Sequence, residues 1–187
     1  VMEGIEWAVQ HGAQVINMSL GGSTYPGQAF EAAIRNAYSR GITLVAATGN
    51  DYGQAVLYPA AFPEVIAVGA TLKDNSLASY SNVGPQVTVT APGGSTVPNP
   101  PDGVFSTALT RASTSSGYTW ANGYEFMHGT SMATPHVSGL AALLLSRFGP
   151  MSPDAVAALM SDTSMDLGDD GYDPGFGAGL VNAYAAL

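Results

Sequence analysis

Cysteine is absent from this 187-residue chain, so no disulfide framework holds the fold and cysteine usage says nothing about the redox compartment. Charge is also scarce: 10% of the residues are charged, five basic and 14 acidic, which gives a formal net charge of −9. Binding to nucleic acid or to an anionic membrane surface needs clustered Lys and Arg, so the balance argues against both as partners. The apolar runs are far too short to span a bilayer.

The chain is instead rich in apolar residues, at 46%, and contains 23 glycines and 12 prolines, which is typical of one loop-rich globular domain. Four segments have the pattern of β-strands: 14–18, 42–47, 65–68 and 87–90. Helices are also predicted in three other places. The first ends at Gly12, the second begins at Ser152, and the third closes the chain over 180–187. A helical pattern at 28–40 separates the first two strands, and this order predicts a right-handed crossover in a parallel sheet. Binding sites collect at the carboxyl ends of such strands, where loops 19–22 and 48–51 lie.

The segment around Ser131 combines a hydroxyl group with a helix start. The string Gly-Thr-Ser-Met-Ala-Thr-Pro-His-Val-Ser-Gly at 129–139 leads into the apolar run 140–145, and the pattern stops at Gly149, which predicts a buried helix. Ser131 then lies in the first turn, beside unpaired backbone N–H groups and the positive end of the helix dipole. That position favours the oxyanion that forms next to a serine nucleophile in acyl transfer. Taken alone, a serine here is more often only a helix cap.

The same eleven-residue string resembles the serine motif of the subtilisin-like serine proteases (subtilases), G-T-S-M-A-[ST]-P-H-V-[AS]-G, with every position filled. The resemblance extends over 4–22, 44–50, 58–93 and 129–149, and to the family's closing G-x-G-L-[IV]-N-A pattern at 177–183. It implies a three-layer α/β/α fold with a mainly parallel sheet and a serine endopeptidase that forms an acyl-enzyme at Ser131. It also implies protein or peptide substrates and a secreted or extracellular protein.

The resemblance also assigns the other site residues. Asn50, which alone would be a turn residue after Gly, corresponds to the oxyanion-hole asparagine, whose amide flanks the oxyanion together with the backbone N–H of the nucleophile. The segment 15–22 is similar to the strand that pairs with the substrate backbone. The main specificity pocket lies between two strand-end loops, and the predicted substrate-binding residues are Ser19, Leu20, Gly21, Ala47, Thr48 and Gly49. This small, apolar lining, with Leu57 near the back wall and no full charge except Asp51 at the rim, predicts cleavage after apolar or aromatic residues in preference to acidic or basic ones.

A general base for Ser131 is not found among the three histidines. His136 lies about 140° round the helix from Ser131, and His128 belongs to the serine's own segment. His11 ends the first helix. No strand ends in the family's Asp-[Ser/Thr]-Gly, and in subtilases both the aspartate and the histidine precede the region that matches Val1. We therefore expect the serine-bearing part of a catalytic domain, inactive alone, whose missing N-terminal part is its partner.

The chain, 1–187, is interpreted as one partial peptidase domain with a surface insertion at about 94–124, in which a short hairpin is expected. No metal ligand is predicted, since the carboxylates at 169–173 lack EF-hand spacing. Calcium is a candidate cofactor by resemblance only. Even there, a family cation site uses a carboxylate near Val87 where this chain has Thr88.

Two alternative functions account for less of the sequence. A non-catalytic pseudoprotease or peptide-binding α/β module would need neither Ser131 nor Asn50, and upstream triad motifs would distinguish it from the enzyme. An α/β-hydrolase esterase would have Ala133 in place of the last glycine of its G-x-S-x-G elbow. It would also need a late histidine, and none follows His136.

Overall fold

Four parallel strands form the central sheet of the protein, a computed structural model that describes residues 1–114 and 117–187, with side chains described outside 110–122. The strands follow one another in sequence order: β1 (Val15–Met18), β2 (Thr43–Ala47), β3 (Val65–Thr71) and β4 (Val87–Pro92). Val15 lies opposite Thr43, and Leu44 lies opposite Val65. β2 and β3 are buried along their whole length, as expected of strands rich in Val, Ile and Ala that are covered on both faces.

Helices cover both faces of this sheet. They are α1 (Met2–Gln10), α2 (Gln28–Ser39), α3 (Thr130–Phe148), α4 (Pro153–Thr163) and α5 (Ala183–Ala186). On one face, Ile34 of α2 belongs to the same buried cluster as Leu44, and on the other, Val137 of α3 belongs to the same cluster as Val45. Adjacent residues of β2 serve separate cores because successive side chains of a strand point to opposite faces. The predicted three-layer α/β/α fold with a parallel sheet is therefore confirmed.

The central helix, α3, contacts all four strands of the sheet. It begins after Gly129, whose φ of 138° is open to glycine, and it ends at Gly149, whose φ is 82°. Its buried side consists of small and apolar residues, among them Ala133, Val137 and Leu144. Burial of this side fixes the position of the helix start, where Ser131 lies. No helix in the described part of the chain has both the length and the apolar content to cross a membrane.

We expect Leu144→Ala to lower the free energy of unfolding by about 2–5 kcal/mol, because the fully buried side chain would leave a cavity between α3 and the sheet. Leu143→Ala is the matched control, since this neighbouring side chain is 51% exposed, and its cost should be at most about 1 kcal/mol. Denaturant titration of both variants measures the difference. Equal losses would contradict the buried face assigned to α3.

An antiparallel hairpin leads directly into α3. Its strands, β5 (Val104–Thr114) and β6 (Gly117–Met127), have 11 residues each and extend beyond residue 124, so the hairpin is longer than the short one expected within 94–124. Residues 115 and 116 of that segment lie outside the described residues. The interpretation of 94–124 as an insertion stays a prediction.

The last helix is shorter than the sequence predicts, covering Ala183–Ala186 instead of 180–187. Leu180 exchanges backbone hydrogen bonds with Met165, and the N–H of Val181 donates to Thr90 of β4. These backbone groups are used in sheet-like pairing, so they cannot also form a helical turn.

Candidate active site

Ser131 is the second residue of α3 and is tied to the end of β1. Its Oγ donates a hydrogen bond to the carbonyl oxygen of Ser19 at 3.3 Å, and the Ser19 Oγ donates in return to the carbonyl oxygen of Ser131 at 2.9 Å. Asn17 Nδ2 donates to the Ser19 Oγ at 3.0 Å. The predicted nucleophile and the first predicted substrate-binding residue are therefore in direct contact.

Asn50 follows β2 and lies against the same helix start. Its Oδ1 accepts hydrogen bonds from the backbone N–H of Thr130 at 2.8 Å and from the Thr130 hydroxyl at 3.0 Å. Because donors must face the amide oxygen, this pair fixes the flip of the amide and directs its NH2 group away from Thr130. Asn50 is exposed, and its NH2 group donates no hydrogen bond to any described residue.

The backbone N–H of Ser131 is a second free donor. As a first-turn group it has no partner within α3, and no described residue accepts from it. It follows directly after the backbone N–H of Thr130, which donates to the Asn50 Oδ1. One donor on the Asn50 side chain and one at the helix start are therefore both without a partner among the described residues, as the predicted oxyanion hole would need.

Thr130 connects the end of β2 and Asn50 to the start of α3, and the sequence analysis did not identify it. Besides donating to Asn50, its Oγ1 accepts from the backbone N–H of Gly49 at 3.3 Å, and its carbonyl accepts from Thr134 at 2.7 Å. Thr130 is fully buried, so the end of β2 and the start of α3 are held by one side chain. The serine motif itself contains this threonine, but nothing in the local pattern indicates its partners.

Asn82 is a second structural residue that the sequence did not single out. It is fully buried; its Oδ1 accepts from the N–H of Asp51 at 2.7 Å, and its Nδ2 donates to the Asp51 carboxylate at 2.9 Å and to the carbonyl of Ala55 at 3.0 Å. These bonds hold the loop that follows Asn50. Asn82 lies within the long matched segment, which was the only signal available for it.

The two loops predicted to bind substrate meet at Leu57. A Cβ atom added to Gly21 would lie 2.9 Å from the Leu57 Cβ, and one added to Gly49 would lie 2.7 Å from the Leu57 Cγ and 2.4 Å from the Asn82 Nδ2. Gly49 also has a φ of 112°, so only glycine fits there. Ala47 and Thr48 are buried, whereas Leu20 is 43% exposed. The predicted substrate-binding residues of the two loops thus carry no charge, and the carboxylate of Asp51 lies two residues beyond Gly49.

The turn before Ser131 rests on the residues that directly follow β4. The N–H of Gly129 donates to the carbonyl of Gly93 at 3.1 Å, and a Cβ on Gly93 would lie 2.7 Å from the Tyr80 hydroxyl. Burial raises the pKa of Tyr80 to about 12, so its hydroxyl stays protonated and donates to the carbonyl of Gly94 at 2.7 Å. This packing fixes the approach of the chain to Ser131.

All three histidines make hydrogen bonds away from the Ser131 hydroxyl. Nδ1 of His11 lies 2.7 Å from the carbonyl oxygen of Trp7, and Nδ1 of His136 lies 2.8 Å from that of Met132. Nδ1 of His128 lies 2.7 Å from the hydroxyl of Thr96. Each histidine is exposed, and none is hydrogen-bonded to Ser131 among the described residues.

A cleft of about 370 Å³ opens on the hairpin side of Ser131. It is lined by Ser131, Met132, Pro135 and His136 of α3, by Val104, Phe105, Ser106, Thr107 and Ala108 of β5, and by Glu125 and Met127 of β6. None of the strand-end loop residues lines it. Ser131 is therefore shared by two surfaces, the loops on one side and this hairpin cleft on the other.

The described residues do not fit the calcium site that the resemblance suggests. Thr88 replaces the expected carboxylate, and its Oγ1 accepts a hydrogen bond from the N–H of Ala67 at 3.0 Å. In the acidic loop, Asp173 Oδ1 accepts from the N–H groups of Gly175 and Phe176 at 2.7 and 3.0 Å, so it closes a turn. No group of three or more His, Asp or Glu side chains suited to a metal occurs in the described part of the chain.

The sequence is similar to known proteins over most of its length. Residues 1–179 match the profile of the subtilase family. Subtilisin DY of Bacillus licheniformis is 41% identical over the whole chain, which covers 61% of that protein, and subtilisin NAT of Bacillus subtilis subsp. natto is 38% identical, with 44% of its length covered.

Solved structures give the same result. A protease structure from Pseudoalteromonas arctica superposes with a TM-score of 0.86 at 34% identity, over 99% of this chain and 56% of that one. Fervidolysin from Fervidobacterium pennivorans, a keratinolytic enzyme related to subtilisin, superposes with a TM-score of 0.83 at 34% identity, over 100% of this chain and 28% of that one. The chain therefore spans less than two thirds of the length of each of these relatives.

Proposed function

Since the chain belongs to the subtilase family, we propose that it is the serine-bearing part of a serine endopeptidase. The Ser131 Oγ attacks the carbonyl carbon of a peptide bond and passes its proton to a base, while the carbonyl electron pair moves to the oxygen. Collapse of this tetrahedral oxyanion breaks the C–N bond, and the amine leaves with the proton. The acyl group stays on Ser131 until water releases it by the same steps.

The single observation that carries the proposal is the pair of free donors beside Ser131. The Thr130 contacts orient the Asn50 amide so that its NH2 group faces away from Thr130, and the N–H of Ser131, one residue further along α3, has no partner among the described residues either. Donors held in place before reaction stabilise the developing negative charge without having to reorganise. A non-catalytic peptide-binding module would have no use for this pair.

The general base and its orienting carboxylate come, in this proposal, from a part of the catalytic domain outside this sequence. The hydrogen bond of the Ser131 hydroxyl supports this. Among the described residues the hydroxyl donates to the carbonyl oxygen of Ser19, and a backbone carbonyl cannot act as a base that takes its proton. The three histidines are engaged elsewhere. The missing part acts as a partner that completes the triad.

Substrates in this proposal are proteins or peptides bound in extended form along the segment 15–22. The residue before the scissile bond enters the pocket between Ser19, Leu20, Gly21 and Ala47, Thr48, Gly49. An unpaired charge buried there would be costly, so the pocket takes apolar or aromatic side chains. By family resemblance the complete enzyme is secreted.

The test is peptide-library profiling of the complete catalytic domain, with Ser131→Ala as the blank. We expect cleavage mainly after apolar or aromatic residues, and its loss in the variant. A dominant preference for Arg, Lys or Glu before the cut would refute the pocket. Undiminished cleavage by Ser131→Ala would refute the nucleophile, and with it the proposed function.

A further inference from the structure

The hairpin contributes two cross-strand pairs on one of its faces to the cleft beside Ser131, and the alternate residues Phe105 and Thr107 also line the cleft. Residues directly opposite each other in an antiparallel pair share a face, and Val104 pairs with Met127 while Ser106 pairs with Glu125. All four line the cleft. The face is therefore apolar next to the helix start and carries a carboxylate one pair further out.

Glu125 and His136 are the ionisable side chains of this cleft. His136 contacts the carbonyl oxygen of Met132 at 2.8 Å, so the ring nitrogen there must carry a proton and act as the donor. Glu125 is exposed and forms no salt bridge with any side chain that the structure describes. Its carboxylate is available to a ligand in the cleft.

The position of the cleft decides which part of a substrate reaches it. If the acyl half lies against the loops of Ser19 and Gly49, the half that follows the scissile bond continues past Ser131 towards the hairpin. A Lys or Arg side chain there would pack its aliphatic stem on Val104 and Met127 and place its charged head near Glu125. An Asp or Glu side chain would meet a like charge.

We propose that Glu125 is a specificity residue that selects substrates with Lys or Arg at the first or second position after the scissile bond. This inference rests on the proposed function for the reaction, and it adds a preference on the leaving-group side. Exposed ion pairs are weak, so the preference over Gln at the same position is about two- to fivefold in kcat/KM. Preference over Glu is larger.

The experiment uses the complete catalytic domain and matched peptides with one apolar residue before the cut and Lys, Arg, Gln or Glu at the first two positions after it. Glu125→Gln keeps the size of the side chain and should abolish the preference, whereas Glu125→Lys should reverse it. Glu3→Gln, at an exposed position of α1, changes the net charge equally and should leave the preference intact. In 1 M salt, where the Debye length is about 3 Å, the preference of the parent should shrink.

A preference for Lys and Arg that Glu125→Gln removes and Glu3→Gln keeps supports the proposal. The same kcat/KM for all four peptides, or a preference that survives in Glu125→Gln, overturns it while the proposed protease function stands. If the parent cleaves none of the peptides and Ser131 forms no acyl-enzyme, the proposed function fails and takes this inference with it.

Discussion

The 187-residue chain on its own should hydrolyse no peptide bond at a protease-like rate and should react only slowly with a fluorophosphonate. The reason is chemical: a serine hydroxyl is a weak nucleophile without a base to take its proton. The histidines lie in hydrogen bonds elsewhere. In subtilisin, which is a member of this family, removal of the histidine base lowers kcat about 10⁶-fold. This factor was measured on subtilisin and not on this chain.

Labelling kinetics check this expectation. Adding the part of the catalytic domain that the proposal places outside this sequence, in the same chain or as a co-folded second chain, should restore rapid labelling of Ser131, and Ser131→Ala should abolish it. Rapid labelling of the isolated chain that depends on Ser131 would show that it contains a base. His128→Ala and His136→Ala would then identify which ring serves.

The sheet and its flanking helices were predictable because their signals are local. Buried parallel strands are continuous apolar runs, and α3 lies between two glycines. The motif resemblance added the two residues, Ser131 and Asn50, that the fold brings to one helix start. Their catalytic roles remain proposals.

The parts that escaped prediction depend on contacts between distant segments. Thr130 meets Asn50 across 80 residues of sequence, and the Leu180 backbone pairs with Met165 where a local pattern favoured helix. The hairpin was underestimated for a similar reason. A segment rich in Ser, Thr and Gly is typical of a loop, yet cross-strand pairing extends each strand of the hairpin to 11 residues.

Substitution of Asn50 should separate its two roles in the complete enzyme, which are to accept hydrogen bonds from Thr130 and to donate one to the oxyanion. Asn50→Asp keeps an oxygen for the N–H and hydroxyl of Thr130, and a carboxylate is favourable at a helix N-terminus. It has no donor for the oxyanion. Asn50→Ala lacks both the donor and the oxygen, so the Thr130 groups lose their partner.

Both variants should therefore lose activity, but only one should lose stability. We expect kcat to fall about 10²–10³-fold in each with KM nearly unchanged, a range measured on subtilisin for removal of the corresponding donor. Asn50→Ala should also lose about 1–3 kcal/mol of unfolding free energy, because it leaves buried donors unpaired, while Asn50→Asp stays near the parent. Steady-state kinetics and denaturant titration give the two readouts. If Asn50→Asp kept the parent's kcat, the Asn50 amide would not be an oxyanion donor, and its role would be confined to holding Thr130 at the start of α3.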